Sequence, residues 1–277
     1  MNRELFEQLL ANRLASFDES RILPFLTEES VRKAAAAGTA TTRAGVAVIP
    51  VRGILTLHGI ETFFGTFGGR TTVLRRRLTE ALTDDSVGAI VLDFDSPGGT
   101  VDGIPELAAD IRSARGKKPM IAVANTLLAS AAYWLASQCD EIVACPSSEV
   151  GSIGVIAQHM SFAQALENEG IELNVFRSAP FKAEGNPLEK LTPEAGENIQ
   201  AMVQKIHKMF VADVAKGRGV KGADVDANFG QGRVMLAKDA VAAGLADRVQ
   251  TIEQVVGGLV KGRSSRARRR RSSLAFR

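Results

Sequence analysis

The chain has few of the residues that most often carry chemistry: two cysteines, Cys139 and Cys145, and three histidines, His58, His159 and His207, in 277 residues. Two cysteines exclude a disulfide framework and read as reduced, structural thiols of a cytoplasmic protein. No apolar run reaches the roughly 18 residues needed to cross a bilayer, so no membrane span is expected. Met1 to Asp18 carries Glu4, Glu7 and Arg13 among its apolar residues, the wrong pattern for a secretory signal. Acidic residues are missing from Lys261 to Arg277, which holds eight Lys and Arg. Taking those eight from the formal net charge of +3 leaves −5 for residues 1–260. The basic character therefore belongs to 261–277, and the body is mildly acidic. That segment has almost no apolar content before Leu274, so it is expected to be disordered.

What is present is an ordinary globular composition, 45% hydrophobic and 23% charged, in a chain long enough for one large domain or two small ones. Asn2 to Ser16 reads as a short amphipathic helix, with Phe6, Leu9, Leu10 and Leu14 at helical spacing. Residues 34–44, rich in Ala with Gly, Thr and Arg, read as a linker. A strand runs from Val46 to Leu55, and its proline hints at an edge or a bulge. Residues 57–70, with Phe63, Phe64 and Phe67 among glycines, read as a loop lining a substrate groove.

Short elements then alternate. A helix from Thr72 to Leu82 precedes a strand from Val87 to Phe94, and a helix from Ile104 to Ala114 precedes a strand from Met120 to Ala124. Helical character resumes at Asn125 and continues to Ser137. A strand at Glu141–Ala144, a helix at Ser161–Glu169 and a strand at Leu173–Arg177 follow. The last long helix is expected from Pro193 to about Lys216. Thr192 would be its N-cap, Ile199, Met202, Val203, Ile206, Phe210 and Val214 its buried stripe, and Gly217 and Gly219 its end. Such alternation argues for an α/β fold of βαβ units with a mainly parallel sheet and flanking helices. The expected divisions are an N-terminal helix and linker over 1–44, a catalytic domain over 45–260 and a basic extension over 261–277.

The stretch from Asn125 to Trp134 organises the chemistry. A serine at a strand-to-helix corner has its hydroxyl near unpaired backbone N–H groups able to hold an oxyanion. Ser130 occupies such a corner, and Ala129, Ala131 and Ala132 leave room for a backbone to approach. One strand earlier, Asp95-Ser-Pro-Gly-Gly-Thr100 follows a buried strand, where α/β sheets place ligands. Its consecutive glycines let N–H groups face a bound carbonyl. A nucleophilic serine also needs a base. Among the histidines only His159, beyond a Gly-Ser-Ile-Gly turn, is plausible. Lys182, in a loop beside Phe181, serves equally if burial keeps it neutral.

These segments together resemble a known family. The Val46–Gly53 strand, Asp95-Ser-Pro-Gly-Gly, Ala129-Ser-Ala-Ala-Tyr-Trp with Gly151-Ser-Ile-Gly-Val155, and Phe181-Lys-Ala-Glu-Gly-Asn-Pro187 recur in order. Gly232-Arg-Val through Ala240 to Gly244-Leu-Ala-Asp247 looks like the family's closing helix-turn-strand. The whole, about 200 residues, is similar to the signal peptide peptidase A family of serine peptidases, which includes phage head-maturation proteases and shares the ClpP/crotonase fold. The resemblance implies Ser130 as nucleophile, Lys182 as general base and Ser152 as the hydroxyl that hydrogen-bonds the lysine. It implies Gly98 and Gly99 as the oxyanion turn, with the Ala131 amide as a further donor. It implies no cofactor and no metal ion. Two positions depart from the pattern: Ala131-Ala132 stands where members often have Gly-Gly, and Ala179 where they tend to have Gly. Each change adds a methyl group to the pocket.

Within that family, the absence of an anchor and of a second copy of the fold points to a capsid-maturation protease cleaving scaffold or coat proteins, in a procapsid or the host cytoplasm. The alternatives are a soluble cytoplasmic peptidase for small or signal peptides, a crotonase-fold acyl-CoA enzyme, and a non-catalytic assembly subunit. A homo-oligomer is expected, as is a capsid or scaffold partner, with nucleic acid or an acidic protein as the ligand of 261–277.

Overall fold

The computed structural model describes residues 40–62 and 65–262, and for residues 60–67 the backbone alone. The Asn2–Ser16 helix, the linker before residue 40, Phe63, Phe64 and the basic segment from 263 onward lie outside the described residues. The described chain divides into two compact bodies. One comprises residues 40–154 and 210–262, the other Val155–Met209.

The first body is built on an eight-stranded sheet. Its strands are β1 (Thr41–Arg43), β2 (Val46–Arg52), β7 (Ala89–Ser96), β8 (Met120–Ala129), β9 (Glu141–Ala144), β10 (Glu149–Gly151), β11 (Val234–Leu236) and β12 (Arg248–Val249). Between β2 and β7 lie the short strands β3 (Leu55–Thr56), β4 (Ile60–Thr62), β5 (Gly65–Phe67) and β6 (Gly69–Arg70). The expected linker thus ends early, because Thr41–Arg43 turns back through Ala44 and Gly45 to pair antiparallel with β2. Strands β2, β7 and β8 are parallel neighbours, and β8 is parallel to both β9 and β10. Only β1 and β11 join the sheet antiparallel. The expected α/β class with a mainly parallel sheet is what the chain forms.

Both faces of the central strands are covered, which is why β7 opens on the apolar run Ala89–Leu92 and also buries Phe94. One set of alternating side chains, Val46, Ala89, Val91, Ile121, Val123 and Val143, packs under a helix over 252–262 through Val255. On the other face, Ile90, Leu92 and Phe94 are fully buried. Helix α1 (Thr71–Thr83) buries Leu74 and Leu78, and α2 (Ile104–Ser113) buries Ile104, Leu107 and Ile111. Helix α3 (Ala131–Ala136) is buried at every residue.

The strand β8 is the largest departure from expectation. It continues five residues past Ala124, to Ala129, and the helix behind it is only Ala131–Ala136. The reason lies in the sheet. Phe94 pairs with Ala124 but Ser96 pairs with Leu128, so β8 carries extra residues over Asn125–Leu127 and then resumes pairing. The corner is therefore displaced from Asn125 to Ser130.

The second body holds α4 (Ala163–Asn168) and the N-terminal part of α5 (Pro193–Arg218). The strand expected at Leu173–Arg177 does not form; these residues have no sheet partner. Thr192 caps α5 as expected, its hydroxyl accepting the Ala195 amide at 3.2 Å. The expected stripe is buried only in the C-terminal part of the helix, at Phe210 and Val214, whereas Met202 is 57% exposed. Ile199, Val203 and Ile206 are half-buried. Among residues 155–209 only Ala195 is fully buried, so this body has no core of its own. Gly217 does not end the helix; Gly219, with φ +68°, does. Gly217 instead admits α3, since a Cβ there would lie 2.1 Å from the Ser137 carbonyl oxygen.

The remaining elements of the first body are α6 (Gly222–Asn228) and α7 (Ala237–Ala243), and the helix over 252–262 is α8. No described helix is long and apolar enough to cross a membrane.

Candidate active site

Ser130 is held at the end of β8 in a strained backbone, φ 51° and ψ −125°, and is 4% exposed. A non-glycine residue in such a region costs about 1–3 kcal/mol and persists only where its surroundings impose it. Those surroundings are visible. The Ser130 amide donates to the Gly151 carbonyl at 2.9 Å, and the Ser130 carbonyl accepts from Trp134 at 3.0 Å to open α3. Helix α3 is fixed in turn. Trp134 stacks on Phe210 with ring centroids 4.5 Å apart and donates its indole N–H to Asp213 at 3.0 Å. The Tyr133 hydroxyl donates to the Leu245 carbonyl at 3.0 Å. Arg115 closes the far end of α3, donating to the carbonyls of Ser137, Gln138 and Cys139 and also to that of Gly217. Such anchoring by buried aromatic groups lets a six-residue helix hold a strained serine.

Ser152 mirrors Ser130. Ala129 and Gly151 are direct partners on the adjacent parallel strands β8 and β10, and each is followed by a serine. Ser152 also has positive φ, at 54°, and its amide donates to the Arg233 carbonyl at 2.8 Å. Parallel strands lie about 4.8 Å apart, so the two serines leave the sheet side by side. The structure thus brings these two expected site residues together.

The Asp95–Gly99 turn meets them from the β7 side. A Cβ built on Gly98 would lie 2.6 Å from the Ser130 Cβ, 3.0 Å from its Oγ and 3.0 Å from the Ala131 nitrogen. Only glycine permits that approach, and its φ of +106° is also one that other residues rarely adopt. The Gly98 amide donates to the Ser96 hydroxyl at 3.2 Å. The Gly98 carbonyl accepts the Leu55 amide at 2.7 Å, and the Thr100 amide donates to the Leu55 carbonyl at 2.9 Å. Among the described residues no hydrogen bond takes the Gly99 N–H, and Ala131, first residue of α3, has no intrahelical acceptor. Gly99 and Ala131 are thus the freer donors beside Ser130, and Gly98 supplies the space.

Lys182 belongs to the other body and is exposed, with neighbouring Phe181 61% exposed. The expected burial of the lysine among apolar side chains is not found, because residues 155–209 form no core to receive it. Its loop is nonetheless ordered. Arg177 donates to the Lys182 carbonyl at 2.9 Å and pairs with Glu189, which also accepts from Asn186 at 3.2 Å. Hydrogen bonding by Arg177 holds the Glu189 carboxyl below the usual range. Glu184 accepts from Asn198 at 2.7 Å. His159 lies in the same body, its Nε2 3.4 Å from the Asn186 carbonyl oxygen. His58 is exposed and His207 half-buried. Ser96, Trp134 and Arg177 had no role assigned from the sequence, although Ser96 and Trp134 lie within the motifs around Gly98 and Ser130. Among the described residues no cluster of His, Cys, Asp and Glu could hold a metal ion.

Comparison with known proteins decides the family. The model of peptidase family S49 matches residues 112–264, more than half of the chain. The chain belongs to peptidase family S49. It is 33% identical over 227 residues to the head-tail preconnector protein GP5 of Enterobacteria phage P21, covering 81% of this chain and 44% of that protein. It is 32% identical over 207 residues to the capsid assembly protease C of Escherichia phage lambda, covering 74% and 46%. It is 32% identical over 218 residues to protease 4 of Salmonella typhi, covering 78% and 34%. The chain thus spans less than half the length of these relatives. The S49 match covers Ser130, Ser152 and Lys182; the Gly98-Gly99 turn lies before it.

Proposed function

We propose that this S49 member is a serine endopeptidase with Ser130 as nucleophile and Lys182 as general base, acting in phage capsid maturation. The observation that carries the reading is the strained, buried Ser130 set against a glycine turn that leaves no room for a side chain. Lys182, when neutral, takes the Ser130 hydroxyl proton as Oγ attacks the peptide carbonyl. The oxyanion is held by amides of the 98–99 turn and of Ala131. The lysine ammonium then protonates the leaving amine, giving an acyl-enzyme at Ser130. Water attacks the acyl carbon with its proton passing to the same amine, and Ser130 recovers its proton as the acid product leaves. Ser152, leaving the sheet beside Ser130, orients the lysine amine. The peptidase domain is taken as 45–260.

A lysine works as a base only where its neutral form is favoured, which takes burial. The exposed Lys182 must therefore be covered, and a second copy of this chain is the cover we propose. Residues 155–209 expose Phe176 at 95%, Phe181 at 61% and Ile171 at 54%. Side chains of that size without a core of their own favour association. A homo-oligomer in light scattering is the expected result, and an active monomer would remove this part of the reading.

Scaffold or coat protein as substrate is supported by the phage relatives' names, and action within the procapsid or host cytoplasm follows from it. Coexpression with a phage scaffold protein and coat protein tests this. The expected outcome is shortened scaffold or coat protein with wild type and none with Ser130→Ala. Identical processing with both would sink the proposal.

A further inference from the structure

Ser96 is the one side chain of the Asp95–Gly99 turn that is both fully buried and bonded to the turn itself. Its hydroxyl makes two hydrogen bonds. It donates to the Gly53 carbonyl at 2.7 Å and accepts the Gly98 amide at 3.2 Å. The Gly53 amide donates back to the Asp95 carbonyl at 2.9 Å, so the turn after β2 and the turn after β7 are tied on both sides of Ser96.

These ties set two peptide planes. The Ser96 hydroxyl fixes the direction of the Gly98 N–H. The Leu55 amide, bonded to the Gly98 carbonyl at 2.7 Å, fixes the next plane. In a trans peptide the carbonyl and the following N–H point opposite ways. The Gly99 N–H is therefore turned away from Leu55. Gly99 cannot relax toward β3 either, since a Cβ there would lie 1.8 Å from the Leu55 carbonyl oxygen, showing how tightly the backbones are packed.

We propose that Ser96 is the positioning residue of the oxyanion turn. Its hydroxyl holds the Gly98 amide on a long hydrogen bond and sets both glycine peptides before a carbonyl arrives, so little reorganisation is left for the reacting step. This rests on the reading of Ser130 as nucleophile, and it makes a separable claim. Ser96 touches neither substrate nor the reacting atoms; it acts through the turn.

The test compares wild type, Ser96→Ala, Ser96→Cys and Ser130→Ala as full chains. The readouts are kcat and KM on a fluorogenic peptide that wild type cleaves, and inhibition by a peptide aldehyde, whose adduct with a serine carries the oxyanion. Losing one direct oxyanion donor costs about 100- to 1000-fold in kcat, so loss of its positioner is expected to cost about 10- to 100-fold. KM should stay within about twofold, and aldehyde inhibition should weaken in parallel with kcat. Ser96→Cys, which keeps the volume and weakens both hydrogen bonds, should fall between, and it carries the test if alanine does not fold. Unchanged kcat and aldehyde affinity in a folded Ser96 variant overturns the proposal. So does a fall in kcat with unchanged aldehyde affinity, which would mark Ser96 as a structural tie alone. Aldehyde inhibition of Ser130→Ala equal to wild type, read by displacement of a labelled aldehyde, would instead sink the nucleophile reading and this inference with it.

Discussion

Gly98 and Ser130 approach so closely that a methyl group on Gly98 would lie 2.6 Å from the Ser130 Cβ. The two residues follow different strands, β7 and β8, and the sheet register that brings them together includes the extra residues at Asn125–Leu127. Gly98→Ala should therefore displace the serine or the turn. The expected loss in kcat/KM is at least about 100-fold, as for loss of an oxyanion donor. Steady-state kinetics on a peptide, with a melting curve to confirm folding, checks it. A folded Gly98→Ala enzyme with near-normal kcat/KM would mean that the contact has no bearing on the reaction.

The choice of base separates two residues of the same body. Lys182→Ala is expected to abolish peptide hydrolysis, while His159→Ala keeps most of it. A lysine base acts only when neutral, so activity should rise with pH toward a neutral-to-alkaline optimum. The pH–rate curves of wild type and His159→Ala should coincide. The reverse pattern, with His159→Ala inactive and Lys182→Ala active, would assign the base to the histidine.

Asp247 offers a test of the fold away from the site. Its carboxylate takes Arg218 on both oxygens, at 2.8 and 2.9 Å, and accepts the Ile142 amide at 2.7 Å. Burial alone would raise its pKa, but the Arg218 and Ile142 hydrogen bonds and the nearby arginine charges outweigh that and hold it below 3.8. A carboxyl depressed in the folded state stabilises above its unfolded pKa and loses that contribution as pH falls through the folded one. Asp247→Asn should cost about 1 kcal/mol at neutral pH, a figure reduced for its partial exposure. The gap from wild type should narrow as pH falls below the usual carboxylate range and through the depressed folded-state value. Denaturation at neutral pH and at a series of acidic pH values measures it, and a gap that does not shrink in acid would contradict the assignment.

The basic segment should carry all polyanion affinity, because residues 1–260 have a net charge of −5. A chain truncated after Val260 is expected to lose DNA binding that the full chain shows at low salt, and that binding should fall steeply by physiological salt. Helix α8 begins close to Cys145 and packs across a cluster that includes Val46 and Ala89, the first residues of β2 and β7. It thus runs away from the strand ends that carry Ser130, so peptidase activity should not change on truncation. Equal DNA binding by both chains would remove the segment from the account.

Much of the sheet was legible in the sequence: the mostly apolar runs expected as strands at Val46–Leu55, Val87–Phe94 and Glu141–Ala144 form as Val46–Arg52, Ala89–Ser96 and Glu141–Ala144. Ser130 and the Gly98-Gly99 turn stood out for the same reason, being small residues at strand ends. The extension of β8 was not legible. Asn125-Thr-Leu-Leu-Ala lacks strand alternation, because its first residues bulge away from β7, and pairing resumes at Leu127 with β10 and at Leu128 with β7. The stripe on α5 was legible as a period but not as burial. Periodicity shows that a face is apolar, and the exposed Met202 shows that this chain alone need not cover it. The part of Ser96 could not be seen either, since its effect depends on a contact with Gly53, 43 residues away.

The most direct measurement is covalent labelling of the intact chain with a fluorophosphonate, followed by mapping of the modified residue by peptide mass. The account predicts one adduct per chain, on Ser130, absent in Ser130→Ala and slowed in Lys182→Ala. An adduct on another residue, or equal labelling of wild type and Ser130→Ala, would contradict it.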